Sequence, residues 1–259
     1  MVEQVLIAVI ASLIASVIIY IATVLYKIRL PSLLHIIVWR KFEKEVTVCV
    51  TEIQNPYDTF KKSAERRFSL VPLGEVVALK ELDKYIDYNY NRRLYPISIQ
   101  NESEFSFYSD KDLIILGGPR NNFVSRKILK KLDPVLVYQF ARIRNDDKGN
   151  EENPVFKSLV SYGKEELICE EPEKIDYGVV IYCKNPYNIK CHIILCGGLS
   201  QCSTLAAAMW IQKIPTLKMF KYLALCDGFE AIISCKSTNN QNATNIKMVD
   251  IYEIKLSGK

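Results

Sequence analysis

The chain opens on an unbroken apolar run. Residues 4–26 (QVLIAVIASLIASVIIYIATVLY) hold no charged side chain. A helix of that length reaches roughly 35 Å, enough to cross a hydrocarbon core of about 30 Å, and it satisfies its own backbone groups, as lipid demands. A cleaved leader needs a basic start and a shorter apolar stretch, whereas Met1–Gln4 has no basic residue. The pattern predicts a retained single-pass transmembrane helix. A second apolar run, Leu30–Trp39, is too short to span. Behind Pro31 it reads either as an interfacial helix or as an amphipathic helix packed on the folded part.

Beyond residue 44 the pattern changes to short runs. Glu45–Thr51 alternates and predicts a strand. In Gly74–Ile86 the residues Val76, Val77, Leu79, Leu82 and Ile86 fall at helical spacing, predicting an amphipathic helix. Asp112–Leu116 is a short apolar strand that runs into Gly117-Gly118-Pro119, and Val124–Leu132 then reads as a helix. The order recurs later. Tyr177–Cys183 is a strand, Asn185-Pro186-Tyr187-Asn188 a turn and Cys191–Cys196 a strand, followed by Gly197-Gly198 and a helix through Thr204–Lys213. Apolar strands passing through glycines into helices signal parallel, doubly covered sheet. Phe229–Lys236 and Ile246–Leu256, joined by the polar loop Ser237–Asn245, predict an antiparallel hairpin. The expected fold class is therefore α/β: a mainly parallel sheet covered by helices, with an antiparallel C-terminal hairpin and one N-terminal transmembrane helix. Residues 1–44 would be the membrane and juxtamembrane segment, and residues 45–259 a single Rossmann-like domain.

Composition adds placement. Apolar residues make up 49% and charged residues 24% of the chain, which excludes a disordered protein. Lys27, Arg29, Arg40, Lys41 and Lys44 all follow the apolar run, so that flank is expected to be cytoplasmic. The remaining residues are close to charge balance, which argues against nucleic acid as a partner. Eight cysteines without a CxxC suit a reducing compartment, where buried thiols act as small hydrophobes. The triplets Asn101-Glu102-Ser103 and Asn242-Ala243-Thr244 point the other way, as glycosylation acceptors of extracytoplasmic chains. The charge asymmetry decides for a cell-membrane protein whose C-terminal domain is cytoplasmic.

Candidate chemistry centres on the two glycine turns. Glycine lets backbone approach a ligand closely, and a helix that follows presents unpaired N–H groups. Ligands of open α/β sheets gather at the carboxyl ends of strands. Gly117, Gly118, Arg120 and Asn122 from the first turn, with Gly197, Gly198, Ser200, Ser203 and Thr204 from the second, are therefore the expected ligand-binding residues of one crevice. The alternative is that the glycines merely turn the chain and Ser200 or Ser203 caps a helix. Neither turn matches a GxGxxG or GxxxxGK[ST] pattern, so no particular cofactor is expected. No metal is expected either: on a strand His192 and Cys196 share a face about 13 Å apart while Cys191 faces away. Cys202 is the best-placed thiol, at a helix start, but no base neighbours it in sequence, and no catalytic residue is assigned.

Four blocks carry a family resemblance: Leu73-Gly74-Glu75 with Ala78-Leu79; Gly117-Gly118-Pro119 with Asn122; Asp176-Tyr177-Gly178 with Asn185-Pro186-Tyr187-Asn188; and Gly197-Gly198-Leu199 with Thr204 and Ala206-Ala207. They resemble a poorly characterised prokaryotic membrane-anchored α/β family and are similar in part to archaeal surface-layer-type domains. Cys196-Gly197 stands where such a family has Ala-Gly, which shifts the second turn. The resemblance implies a fold rather than a reaction. The leading expectation is a tethered cytosolic domain that binds a small polar or nucleotide-like ligand as sensor or adaptor. The alternatives are a self-associating envelope or surface-layer-like structural protein and a membrane-tethered hydrolase.

Overall fold

The computed structural model describes residues 14–17, 19–20, 42, 45–52, 71–90, 93–142, 156–161, 166–168, 175–212, 226–238 and 242–256. The strands are β1 (Glu45–Cys49), β2 (Arg93–Ile97), β3 (Leu113–Leu116), β4 (Tyr138–Arg142), β5 (Phe156–Ser161), β6 (Leu167–Ile168), β7 (Ile175–Asn185), β8 (Asn188–Gly198), β9 (Gly228–Thr238) and β10 (Asn242–Ile254). The helices are α1 (Leu73–Tyr90), α2 (Glu102–Tyr108), α3 (Phe123–Leu132) and α4 (Gln201–Gln212). Seven strands form one sheet in the order β10-β9-β7-β8-β3-β1-β2, and β4-β5-β6 form a second, three-stranded sheet.

The large sheet is mixed, not mainly parallel. β1 pairs parallel with β2 and β3, and β3 with β8. By contrast β7 pairs antiparallel with both β8 and β9, and β9 with β10. The cause is local. Only Pro186 and Tyr187 separate β7 from β8, and a parallel return needs a crossover of a dozen or more residues. Asn185 seals this turn: its amide donates to the carbonyls of Ser109 and Lys111 at 2.8 and 2.7 Å, and its oxygen accepts from the Tyr187 N–H at 3.0 Å. The expected C-terminal hairpin is present as β9 and β10, with β10 beginning at Asn242 inside the expected loop. Helices cover only part of the sheet, because the all-antiparallel β4-β5-β6 sheet takes a share of one face.

Strand alternation sorts the core into two layers. Val46, Val48, Ile114, Leu116, Val180, Ile194 and Phe229 meet Ala78, Leu82 and Ile86 of α1 and Leu205, Ala207 and Trp210 of α4. Leu113, Ile115, Val179, Ile181, Ile193, Leu195 and Ile232 face the other way, against Val124, Ile128 and Leu132 of α3 and Tyr138 and Leu159 of the small sheet. Both faces of β3 are fully buried, which is why it reads as an unbroken apolar run.

The expected transmembrane helix is not among the described elements. Among the described residues no helix is long and apolar enough to cross a membrane. Residues 14–17 and 19–20 are helical and exposed, while the rest of 4–26 and all of Leu30–Trp39 lie outside the described residues.

Candidate functional site

Because β1, β3 and β8 run parallel, their carboxyl ends share one edge. Thr51 follows β1, Gly117-Gly118 follow β3, and Gly197-Gly198 end β8. The two diglycine turns touch there. The Gly117 N–H donates to the Cys196 carbonyl at 3.0 Å, and a Cβ on Gly118 would lie 2.6 Å from the Gly198 carbonyl oxygen. Gly117 has φ +105°, a backbone conformation that glycine adopts and a side chain resists.

Two helices begin at this edge. The Gly74 N–H in the first turn of α1 donates to Gln201 Oε1 at 3.3 Å, and a Cβ on Gly74 would stand 2.6 Å from the Gln201 carbonyl. α1 and α4 thus start side by side, directing two partial positive charges towards one place. Between them and the glycine turns lies a pocket of about 610 Å³, whose lining includes Thr51, Glu75, Gly118, Arg120, Gly198 and Ser200.

The expected residues divide. Gly118, Arg120, Gly198, Ser200 and Thr204 line the pocket. Gly117 lies just beneath, against Glu75 and Thr51, and Gly197 packs behind against Leu195 and Phe140. Asn122 is 2% exposed and turned inward. Its oxygen caps α3 by accepting from the Ser125 N–H at 3.0 Å, and its amide donates to the Leu116 carbonyl at 2.7 Å. Ser203 is fully buried and accepts from the Ser200 N–H at 3.1 Å. Asn122 and Ser203 build the turns rather than face the pocket.

Glu75 is the residue the sequence reading passed over. It is 4% exposed and lines the pocket. Its Oε2 accepts from the Thr51 N–H at 2.6 Å. Burial pushes its carboxyl up to about 7, with hydrogen bonding from Thr51 pulling it partly back. An acid in the first turn of a helix ordinarily complements the dipole, so in sequence Glu75 looks unremarkable. Only the return of β1 and β3 beside it turns it into a buried group.

Asp176 is the second buried carboxyl at this edge. Burial raises it above the usual range, against hydrogen bonds from Ser200, Ser203 and the Tyr177 N–H. The Ser200 hydroxyl donates to Asp176 and accepts from the Cys202 N–H at 3.0 Å. The first turn of α4 therefore already holds an internal carboxyl, and the exposed polar residues of the pocket lining are Arg120, Asn121 and Gln201. Among the described residues Ser200 has no imidazole in line with it. His192 sits six residues before the end of β8 at Gly198, about 20 Å by strand rise, where its ring stacks on Tyr182 at 5.9 Å. Among the described residues no group of three or more His, Cys, Asp or Glu side chains could hold a metal ion.

A lining that includes Arg120, Asn121, Gln201, Ser200 and the protonatable Glu75 suits a ligand carrying both hydrogen-bond acceptors and donors. No family model matches the chain, and no curated protein matches it.

Proposed function

We propose that the α/β domain binds a small polar or nucleotide-like ligand at the carboxyl edge of β1, β3 and β8, and acts as a sensor or adaptor rather than a catalyst. The observation that carries this reading is the contact of the two diglycine turns beneath two converging helix starts, with Arg120 and Glu75 on the lining of the same pocket. Acceptor groups of the ligand would meet Arg120 and the exposed amides, and a donor group would meet Glu75. Attachment to the cytoplasmic face of the cell membrane belongs to the same reading. Its support is the uncharged run of residues 4–26 followed by five basic side chains.

The test is a thermal-shift screen of the full chain against nucleoside mono-, di- and triphosphates and sugar phosphates. A ligand at a hundred times its Kd adds about 2.7 kcal/mol to the stability of a site that only the folded state offers. At least one compound should raise the melting temperature, and Arg120→Ala should remove that rise while leaving the unliganded melting temperature unchanged. A folded protein that none of these compounds stabilises would contradict the reading.

A further inference from the structure

Behind the pocket wall, on the far side of the first turn of α4, lie two thiols that the pocket does not use. Cys202 on α4 and Cys235 on β9 are 1% and 2% exposed, and their sulfurs are 3.8 Å apart. Cys202 Sγ also donates to the Asn242 carbonyl at 3.3 Å. We propose that Cys202 and Cys235 are an oxidation site, a thiol pair that a hydroperoxide closes to a disulfide, and that the closing bond displaces the α4 wall of the pocket.

Three features support this. A disulfide needs its sulfurs at about 2.0 Å, so the two sulfurs must draw together by nearly half their present separation. Chemical selectivity comes from the surroundings. Hydrogen bonding with Cys235 and Ser237 lowers the Cys202 thiol, outweighing burial and the Asp176 charge, whereas burial pushes Cys49 and Cys196 up to about 12 and raises Cys183 further. The thiolate is the reacting form. Position supplies the third feature. The pair lies near the end of the β9–β10 hairpin, where Thr238 pairs with exposed Asn242, and Cys202 Sγ contacts the Asn242 carbonyl directly.

The chemistry balances with hydrogen peroxide as the co-reactant. The Cys202 thiolate attacks one peroxide oxygen, the O–O bond breaks, and the departing hydroxide takes a proton to leave as water. The resulting sulfenic acid is attacked by the Cys235 sulfur. The S–S bond forms as the S–O bond breaks, and a second water leaves. Two thiols lose two electrons and two protons, and one peroxide becomes two waters. Cys202 sits between Gln201 and Thr204, both on the pocket lining, so a change in the first turn of α4 reaches the pocket directly. This regulatory part rests on the ligand-binding reading above, while the bond itself does not.

The experiment treats the full chain with hydrogen peroxide, alkylates the remaining thiols in denaturant and maps the peptides by mass spectrometry. The expected product joins the Cys202 and Cys235 peptides and is released by dithiothreitol. Cys235→Ser should halt the reaction at a Cys202 sulfenic acid that dimedone traps. Recovery of both residues as alkylated thiols, under conditions that oxidise half-buried Cys191, would overturn the site. A second reading uses Trp210 of α4, which packs edge-on against Phe229 of β9 at 6.4 Å and is one of two tryptophans. In Trp39→Phe its emission should shift on oxidation and return on reduction. A complete cross-link with unchanged emission would overturn the displacement of α4. No ligand is needed for either result, so failure here is distinguishable from failure of the pocket reading.

Discussion

Glu75 and Glu230 set how single residues respond to pH in this fold. Burial holds both carboxyls at about 7, above their ordinary 4.5. The folded chain therefore keeps protons that the unfolded chain has released between about pH 4.5 and pH 7. Stability falls as pH rises through that window and levels off above it, by about 3 kcal/mol for each group. Urea unfolding from pH 5 to pH 8 should show this decline; a rise over the same range would contradict it. Glu75→Gln keeps an oxygen for the Thr51 N–H and removes the charge, so it should remove about half of the decline and raise stability at pH 8, while weakening ligand stabilisation. Gly117 is the other sensitive residue. With φ at +105° and Glu75 Oε1 in the place a Cβ would need, Gly117→Ala should cost about 1–3 kcal/mol in the same assay. The glycine pairs were legible because glycine after an apolar strand has few other uses. Glu75 was not, since its burial depends on Thr51 and Gly117, far away in sequence.

At the scale of elements, two asparagines hold turns that the topology depends on. Asn122 caps α3 and ties it to the end of β3. Asn122→Ala should therefore lower stability by about 1–3 kcal/mol and leave the Kd of a pocket ligand nearly unchanged by calorimetry, the reverse of what a contact residue would do. Asn185 joins the β7–β8 turn to the end of α2 through two hydrogen bonds and closes the turn with a third. Asn185→Ala should cost about 1–3 kcal/mol by removing a fully buried amide and the bonds it makes to two part-buried carbonyls. The strands on either side of this turn were legible from their apolar runs. Their direction was misread because recurring strand, glycine and helix signals suggested parallel order, although a two-residue link dictates a hairpin. The small sheet escaped notice for a different reason. Tyr138–Arg142 is short and mixed in polarity, and its start is held by Glu230, whose Oε2 accepts from the Val137 N–H at 2.8 Å across 93 residues of sequence.

Across the whole molecule, the mixed sheet divides labour between its two halves. The antiparallel β7, β9 and β10 supply hairpins that close on themselves, and they carry no helix start of their own. The parallel β1, β3 and β8 end together, and α1 and α4 begin where they end. This arrangement brings turns 80 residues apart in sequence into contact, and a pocket of about 610 Å³ lies over that contact. The most direct measurement is an amide NMR titration of the isotope-labelled full chain with the compound that stabilises it best. The account predicts saturable shifts centred on Gly118, Arg120, Gly198 and Gln201, with the amides of β4 and β5 unmoved. Shifts centred on the small sheet or on the β9–β10 hairpin, with the glycine turns silent, would contradict it.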